Sequence, residues 1–138
     1  VGGREDLPIV LMGGIKDGID AAKAIALGAD AVAVGTGAII AGGCIACMQC
    51  HVGTCVVGIA TQDPVHEARY DTQVEAQNIH RYLESMRWQM AAIAHAHGHD
   101  DIHKMGRDDL VALTPEAAEI TGLPYEPGYR NQQTVAAE

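Results

Sequence analysis

The sequence predicts an α/β fold that begins with a parallel βαβα unit. Three observations predict it. Residues 7–12 and 31–34 are continuous apolar runs, the pattern of strands buried on both faces. Each run stops at glycines. Each is followed by a helix signal, so the two strands are expected to pair in parallel through a right-handed crossover.

The first run, Leu7-Pro8-Ile9-Val10-Leu11-Met12, ends in Gly13-Gly14. Asp17 or Gly18 then opens a helix with Ile19, Ala22, Ile25 and Ala26 on one stripe, and Gly28 closes it. Ala31-Val32-Ala33-Val34 forms the second strand and stops at Gly35-Thr36-Gly37, where another helix starts. A glycine turn at a helix N-terminus offers bare amides and a positive dipole end to a phosphate. In (β/α)8 barrels such sites often lie after the last two strands. The competing reading is that these glycines only make tight turns.

All four cysteines lie between Gly42 and Gly58, at positions 44, 47, 50 and 55. The spacing C-x2-C-x2-C-x4-C has three readings. Disulfides fit least, because the N-terminus does not look like a signal peptide and the chain reads as cytoplasmic, where thiols stay reduced. Zinc suits two C-x2-C steps. An iron–sulfur cluster suits three cysteines in quick succession, although ferredoxin patterns have a gap of three and a following proline where Val56 stands. Gly53 and Gly58 let the backbone turn amides toward sulfur. His51 is expected to hydrogen-bond near the ligands.

Residues 59–64 read as a loop leaving the cysteines. Thr72 and Glu75 fit a capping box for a helix running to about His97, with Ile79, Leu83, Met86, Met90 and Ile93 as its inner stripe. The two methionines read as packing residues, and Trp88 lies off the stripe. His95, His97, His99 and His103 invite a metal reading, but Gly98 and Asp100-Asp101 are expected to end the helix and leave the histidines solvated. Residues 107–113 read as a short helix or turn. Thr114-Pro115-Glu116 starts a small helix that Gly122 closes. From Pro124 the chain reads as a tail or linker.

With 138 residues, nearly half apolar, the chain can bury a core. Its 9 basic and 18 acidic residues leave a net charge of −9. That argues against a nucleic-acid or anionic-lipid partner, both of which need a basic face. One Trp and no Phe argue against base stacking. The longest apolar stretch is too interrupted to span a membrane.

Two motifs together carry a family resemblance. The turns at Gly13-Gly14-Ile15 and Gly35-Thr36 are followed by Gly43-Cys44-x5-Cys50-His51-x3-Cys55-x2-Gly58-Ile59-Ala60-Thr61-Gln62. Over about residues 7–122 this resembles the end of the FMN-binding synthase domain of the glutamate synthase large subunit. Four cysteines and Met105-Gly106-Arg107-Asp108-Asp109-Leu110 resemble its archaeal-type and N-methylglutamate-synthase-like members most. The resemblance implies the last two units of a (β/α)8 TIM barrel. It implies FMN phosphate bound at Gly13, Gly14, Ile15, Gly35 and Thr36, and a 3Fe–4S cluster on Cys44, Cys50 and Cys55. Cys47 is an extra thiol, so a 4Fe–4S cluster is open. The implied reaction is reductive amination of 2-oxoglutarate to glutamate.

On this reading residues 1–43 are barrel units seven and eight, 44–63 the cluster loop, 64–123 C-terminal helices and 124–138 a tail. Two strands cannot close a barrel. The resemblance therefore implies a partner chain or segment carrying the earlier strands, with the catalytic residues around flavin and substrate. It also implies a glutaminase domain or subunit and an electron-donor subunit or ferredoxin. A non-catalytic zinc module and an N-methylglutamate synthase subunit are the alternatives. A barrel like inosine-monophosphate dehydrogenase shares the Gly-Gly turn but not the cysteine spacing.

Overall fold

The computed structural model describes residues 7–126. Residues 1–6 of the expected first segment and 127–138 of the expected tail lie outside them. Strands β1 (Val10–Met12) and β2 (Ala31–Ala33) pair in parallel, with Val10 opposite Ala31, Leu11 opposite Val32 and Met12 opposite Ala33. Helix α1 (Gly18–Ala26) is the crossover between them. The strands are shorter than the apolar runs. Pro8 has no N–H to give a ladder, and the Ile9 amide donates to the Asp30 carboxylate at 2.6 Å instead. The expected burial on both faces is not met within this chain, since Val10 is 59% and Met12 78% exposed. Two strands and one crossover helix have too few neighbours to cover both faces of a sheet.

α1 forms where expected. Asp17 caps it by accepting from the Ile19 and Asp20 amides, and Gly28, at φ +107°, closes it. Its inner face is small: Ala21, Ala22, Ala24 and Ala26 are buried. Small side chains let the long helix α4 (Thr72–Ala96) approach closely. At Gly18 a Cβ would run into the Met86 carbonyl and Gln89. The core continues through Ala26, Ala94 and Met105, lined by Ile93, Ile102 and Leu110.

Several expectations are corrected here. α4 starts one residue earlier in the capping sense: the Asp71 carboxylate, not Thr72, accepts from the Gln73 and Val74 amides. A carboxylate at the helix dipole's positive end is a stronger cap than a hydroxyl one step too late. Glu75 accepts instead from Asn78 at 3.0 Å. The inner stripe passes through Tyr82 and Met86, while Leu83 is 47% exposed. α4 packs on alanines and glycine turns, so polar side chains with reach, Tyr82 and Gln89, face inward. Residues 59–64 do not run only as a loop, because Asp63 caps a short helix α3 (Pro64–Glu67).

α4 ends at Ala96, and Gly98 turns the chain at φ +82°. The histidines are not all solvated as expected. His99 is half-buried against the Asp109 carboxylate at 3.0 Å, and His103 meets Asp101 and the Asp30 carbonyl. Two 3-10 turns follow, Ile102–Lys104 and Arg107–Asp109. Helix α5 (Pro115–Thr121) is capped by Thr114 and stopped by Gly122 at φ +67°. Pro124 and Glu126 pair with Ala112, whose amide donates to the Pro124 carbonyl and whose carbonyl accepts from the Glu126 amide. Helix α2 (Thr36–Ala41) follows β2 and leads into the cysteine stretch. Among the described residues no helix is long and apolar enough to cross a membrane.

Candidate functional site: paired glycine turns and a cysteine loop

The parallel pairing places the two glycine turns side by side at the carboxyl ends of β1 and β2. They line one open cleft of about 530 Å³ with Met12, Ile15, Lys16 and Ile40. Gly13 (φ +107°) and Gly14 (φ +73°) adopt backbone that side chains rarely tolerate, and nothing lies within 4 Å of where their Cβ atoms would be. Gly35 is equally open. All five residues expected to face a phosphate, Gly13, Gly14, Ile15, Gly35 and Thr36, line this cleft.

The two helix N-termini differ. Those of α1 are taken: Asp17 accepts from Ile19 and Asp20, and Gln89 Oε1 accepts from the Gly18 amide at 2.7 Å. α2 has no side-chain cap. An anion in the cleft thus meets the Gly13–Gly14 turn and the start of α2, not the start of α1. Lys16 supplies a cation at the cleft wall, although its Nζ also pairs with Asp20 at 3.1 Å. The Asp20 hydrogen bond and charge push the Lys16 ammonium up from its ordinary pKa.

Two residues of this site have no signal in local sequence. The Tyr82 hydroxyl donates to the Lys16 carbonyl at 2.8 Å, and it sits where a Cβ on Gly37 would go. Burial, with the Asp17 carboxylate nearby, pushes the Tyr82 phenol up, so it stays a donor. Gln89, as above, holds Gly18. Both lie far along the chain from the turns. Their only trace is a Tyr and a Gln at helical spacing among apolar residues.

The cysteine stretch leaves α2 directly, with the Cys44 amide donating to the Ile39 carbonyl. Gly42 and Gly43 lie against Ile79 and Glu75 of α4. Ala46 (φ +54°) and Met48 (φ +60°) are left-handed on either side of Cys47. The Ala46 amide donates to Cys44 Sγ at 3.3 Å. Cys50 starts a 3-10 turn, Cys50–Val52, that Gly53 ends at φ +70°. His51 Nδ1 lies 3.1 Å from the Met48 carbonyl, so the ring folds onto its own loop.

Cys55 is the most enclosed thiol, at 3% exposed. An antiparallel bridge between Thr54 and Thr61 folds the residues between into a tight loop. Backbone hydrogen bonding from Ala60 and Val57, then from Ile59 and Gly58, holds the Cys55 thiol below its ordinary pKa against the opposing effect of burial. Donors aimed at a sulfur are what a thiolate bound to a metal centre needs. Cys44 and Cys47 are half-buried and Cys50 is exposed. The chemistry of these donors fits a thiolate-bound group. Among the described residues, however, no three His, Cys, Asp or Glu side chains come together as a metal site. The structure places Cys44, Cys47, Cys50 and Cys55 in one loop without gathering them.

The model of a conserved region in glutamate synthase matches residues 1–100. An archaeal NADPH glutamate synthase of Methanocaldococcus jannaschii is 37% identical over 124 residues, covering 87% of this chain and 24% of the relative. A glutamate synthase large subunit-like protein of Rhizobium meliloti is 36% identical over 140 residues, covering 90% of this chain and 32% of the relative. A ferredoxin-dependent glutamate synthase of Cyanidium caldarium is 36% identical over 109 residues, covering 78% of this chain and 7% of the relative. The chain therefore spans about a quarter to a third of the length of the first two. No solved structure matches.

Proposed function

This chain belongs to the glutamate synthase family, and from that premise we propose that it forms the flavin-phosphate turns and the iron–sulfur loop of a glutamate-synthase-like oxidoreductase. β1 and β2 with α1 and α2 are the last two units of a (β/α)8 barrel. Their exposed faces and edges receive the earlier strands, carried by another segment or chain. That remainder also holds the catalytic groups around flavin and substrate. The observation that carries the reading is the shared cleft. Two open glycine turns and one uncapped helix start meet there, and the cysteine loop begins only eight positions after Thr36.

In this reading Gly13, Gly14, Ile15, Gly35 and Thr36 present backbone to the FMN phosphate, and at the three glycines no Cβ stands in the way. Cys44, Cys50 and Cys55 hold the cluster, a 3Fe–4S cluster, or 4Fe–4S if Cys47 also ligates. The amides around Cys55 stabilise its thiolate form. When bound, the flavin supplies hydride chemistry and the cluster single-electron relay, for reductive amination of 2-oxoglutarate to glutamate. The relatives' names point to NADPH in one case and ferredoxin in another as electron source. A glutaminase domain or subunit supplies ammonia. The assembly is cytoplasmic.

The test is reduction of bound flavin through the physiological donor in a Cys50→Ser variant of the assembled enzyme. Slowed or abolished reduction is expected. Reduction at the unaltered rate sinks the electron-transfer role of this loop.

A further inference from the structure

We propose that Tyr82 is a positioning residue for the flavin phosphate, holding the two glycine turns in register from the long helix α4. The proposal rests on the FMN-phosphate reading above. Its Oη donates to the Lys16 carbonyl, one residue beyond the Gly13–Gly14–Ile15 turn. The same oxygen packs on Gly37, the second residue of uncapped α2, so closely that a Cβ there would collide with it. One hydroxyl therefore touches the flanks of both turns that line the cleft.

α4 reinforces this setting on either side. Gln89, two turns further along, accepts from the Gly18 amide and pins the exit of the first turn. Ile79, about one turn earlier, lies against Gly42 at the exit of α2, at 2.9 Å from where its Cβ would be. Three α4 side chains at helical spacing thus fix the gap between the turns. A phosphate bound by amides from two separate loops is sensitive to that gap, because misplaced donors lose strength steeply. The ring of Tyr82 does not itself line the cleft, so the residue acts through backbone rather than by touching the ligand.

The effect is specific to the phosphate, which separates positioning from general packing. The experiment measures FMN and riboflavin affinities of the assembled flavoenzyme, apo form, for wild type, Tyr82→Phe and Trp88→Ala. Trp88 is exposed on α4 and lines none of these contacts. Removing one hydrogen bond corresponds to about three- to tenfold weaker FMN binding. Riboflavin binding is expected to stay as in wild type. The phosphorus NMR signal of bound FMN is expected to shift in Tyr82→Phe and not in Trp88→Ala. Equal losses for both flavins, or no loss for either, overturn the positioning role. A wild-type enzyme that binds FMN no better than riboflavin overturns the phosphate reading itself, and the proposal with it. Should Tyr82→Phe fail to load flavin, its thermal midpoint decides: a midpoint equal to wild type supports a site effect, and a large drop assigns Tyr82 to packing.

Discussion

The helical layer and the sheet-and-cysteine layer of this chain are built to different degrees of completeness. Between α1 and α4 the chain meets its own needs: alanines are buried, Gly18 lets backbones touch, and helix ends are capped by Asp17 and Asp71. On the other side, Val10, Leu11, Met12, Ile39 and Ile40 are exposed, α2 lacks a side-chain cap, and among the described residues no three of the loop's four thiols gather. Local capping and small-residue packing need only neighbours within the chain. An apolar strand face and a thiolate set need something brought to them.

The largest effect is expected from Cys55→Ser in the assembled enzyme: near-complete loss of iron and acid-labile sulfide, with α1–α4 melting as in wild type. If iron stays at the wild-type level, the amide-lined thiol is not a ligand. Gly18→Ala acts on the opposite layer. Its Cβ meets the Met86 carbonyl, and overpacking of this kind costs about 2–3 kcal/mol. Chemical denaturation reads it, and flavin and iron content are expected to follow stability only.

A smaller effect separates two caps. Asp71→Ala is expected to cost about 1 kcal/mol and Thr72→Ala less than about 0.5 kcal/mol. Equal costs would return the cap to Thr72. The acid limb gives a fourth check. The Gly106 amide, and then His99, hold the Asp109 carboxyl below its ordinary pKa. A carboxyl lowered on folding stabilises fully above its unfolded value, about 4, and that contribution vanishes as pH falls through the folded value. Asp109→Asn should therefore be less stable than wild type at neutral pH and converge with it in acid. Parallel curves would show that the charge of Asp109 contributes nothing.

Much of the helical layer was legible because its signals are local. Asp17 before an alanine-rich stripe, Gly28 after it, and Thr114-Pro115 with Gly122 mark ends by chemistry within a few residues. Thr72 misled because it imitates a capping box one step past the carboxylate that caps. Leu83 misled because apolar spacing assumes an apolar partner surface, whereas α4 faces glycine turns to which Tyr82 and Gln89 hydrogen-bond. The turns and the cysteines were visible as residues, yet the cleft they share depends on strand pairing, and Tyr82 and Gln89 join it from more than sixty residues away. Such contacts leave no local pattern.

Anaerobic purification of the assembled protein, followed by analysis of FMN, iron, sulfide and zinc, decides whether these turns and this loop serve a flavin phosphate and an iron–sulfur cluster. FMN together with iron and acid-labile sulfide is expected, the iron falling away in Cys55→Ser. Stoichiometric zinc without sulfide or flavin would contradict this reading and make the loop a structural zinc site.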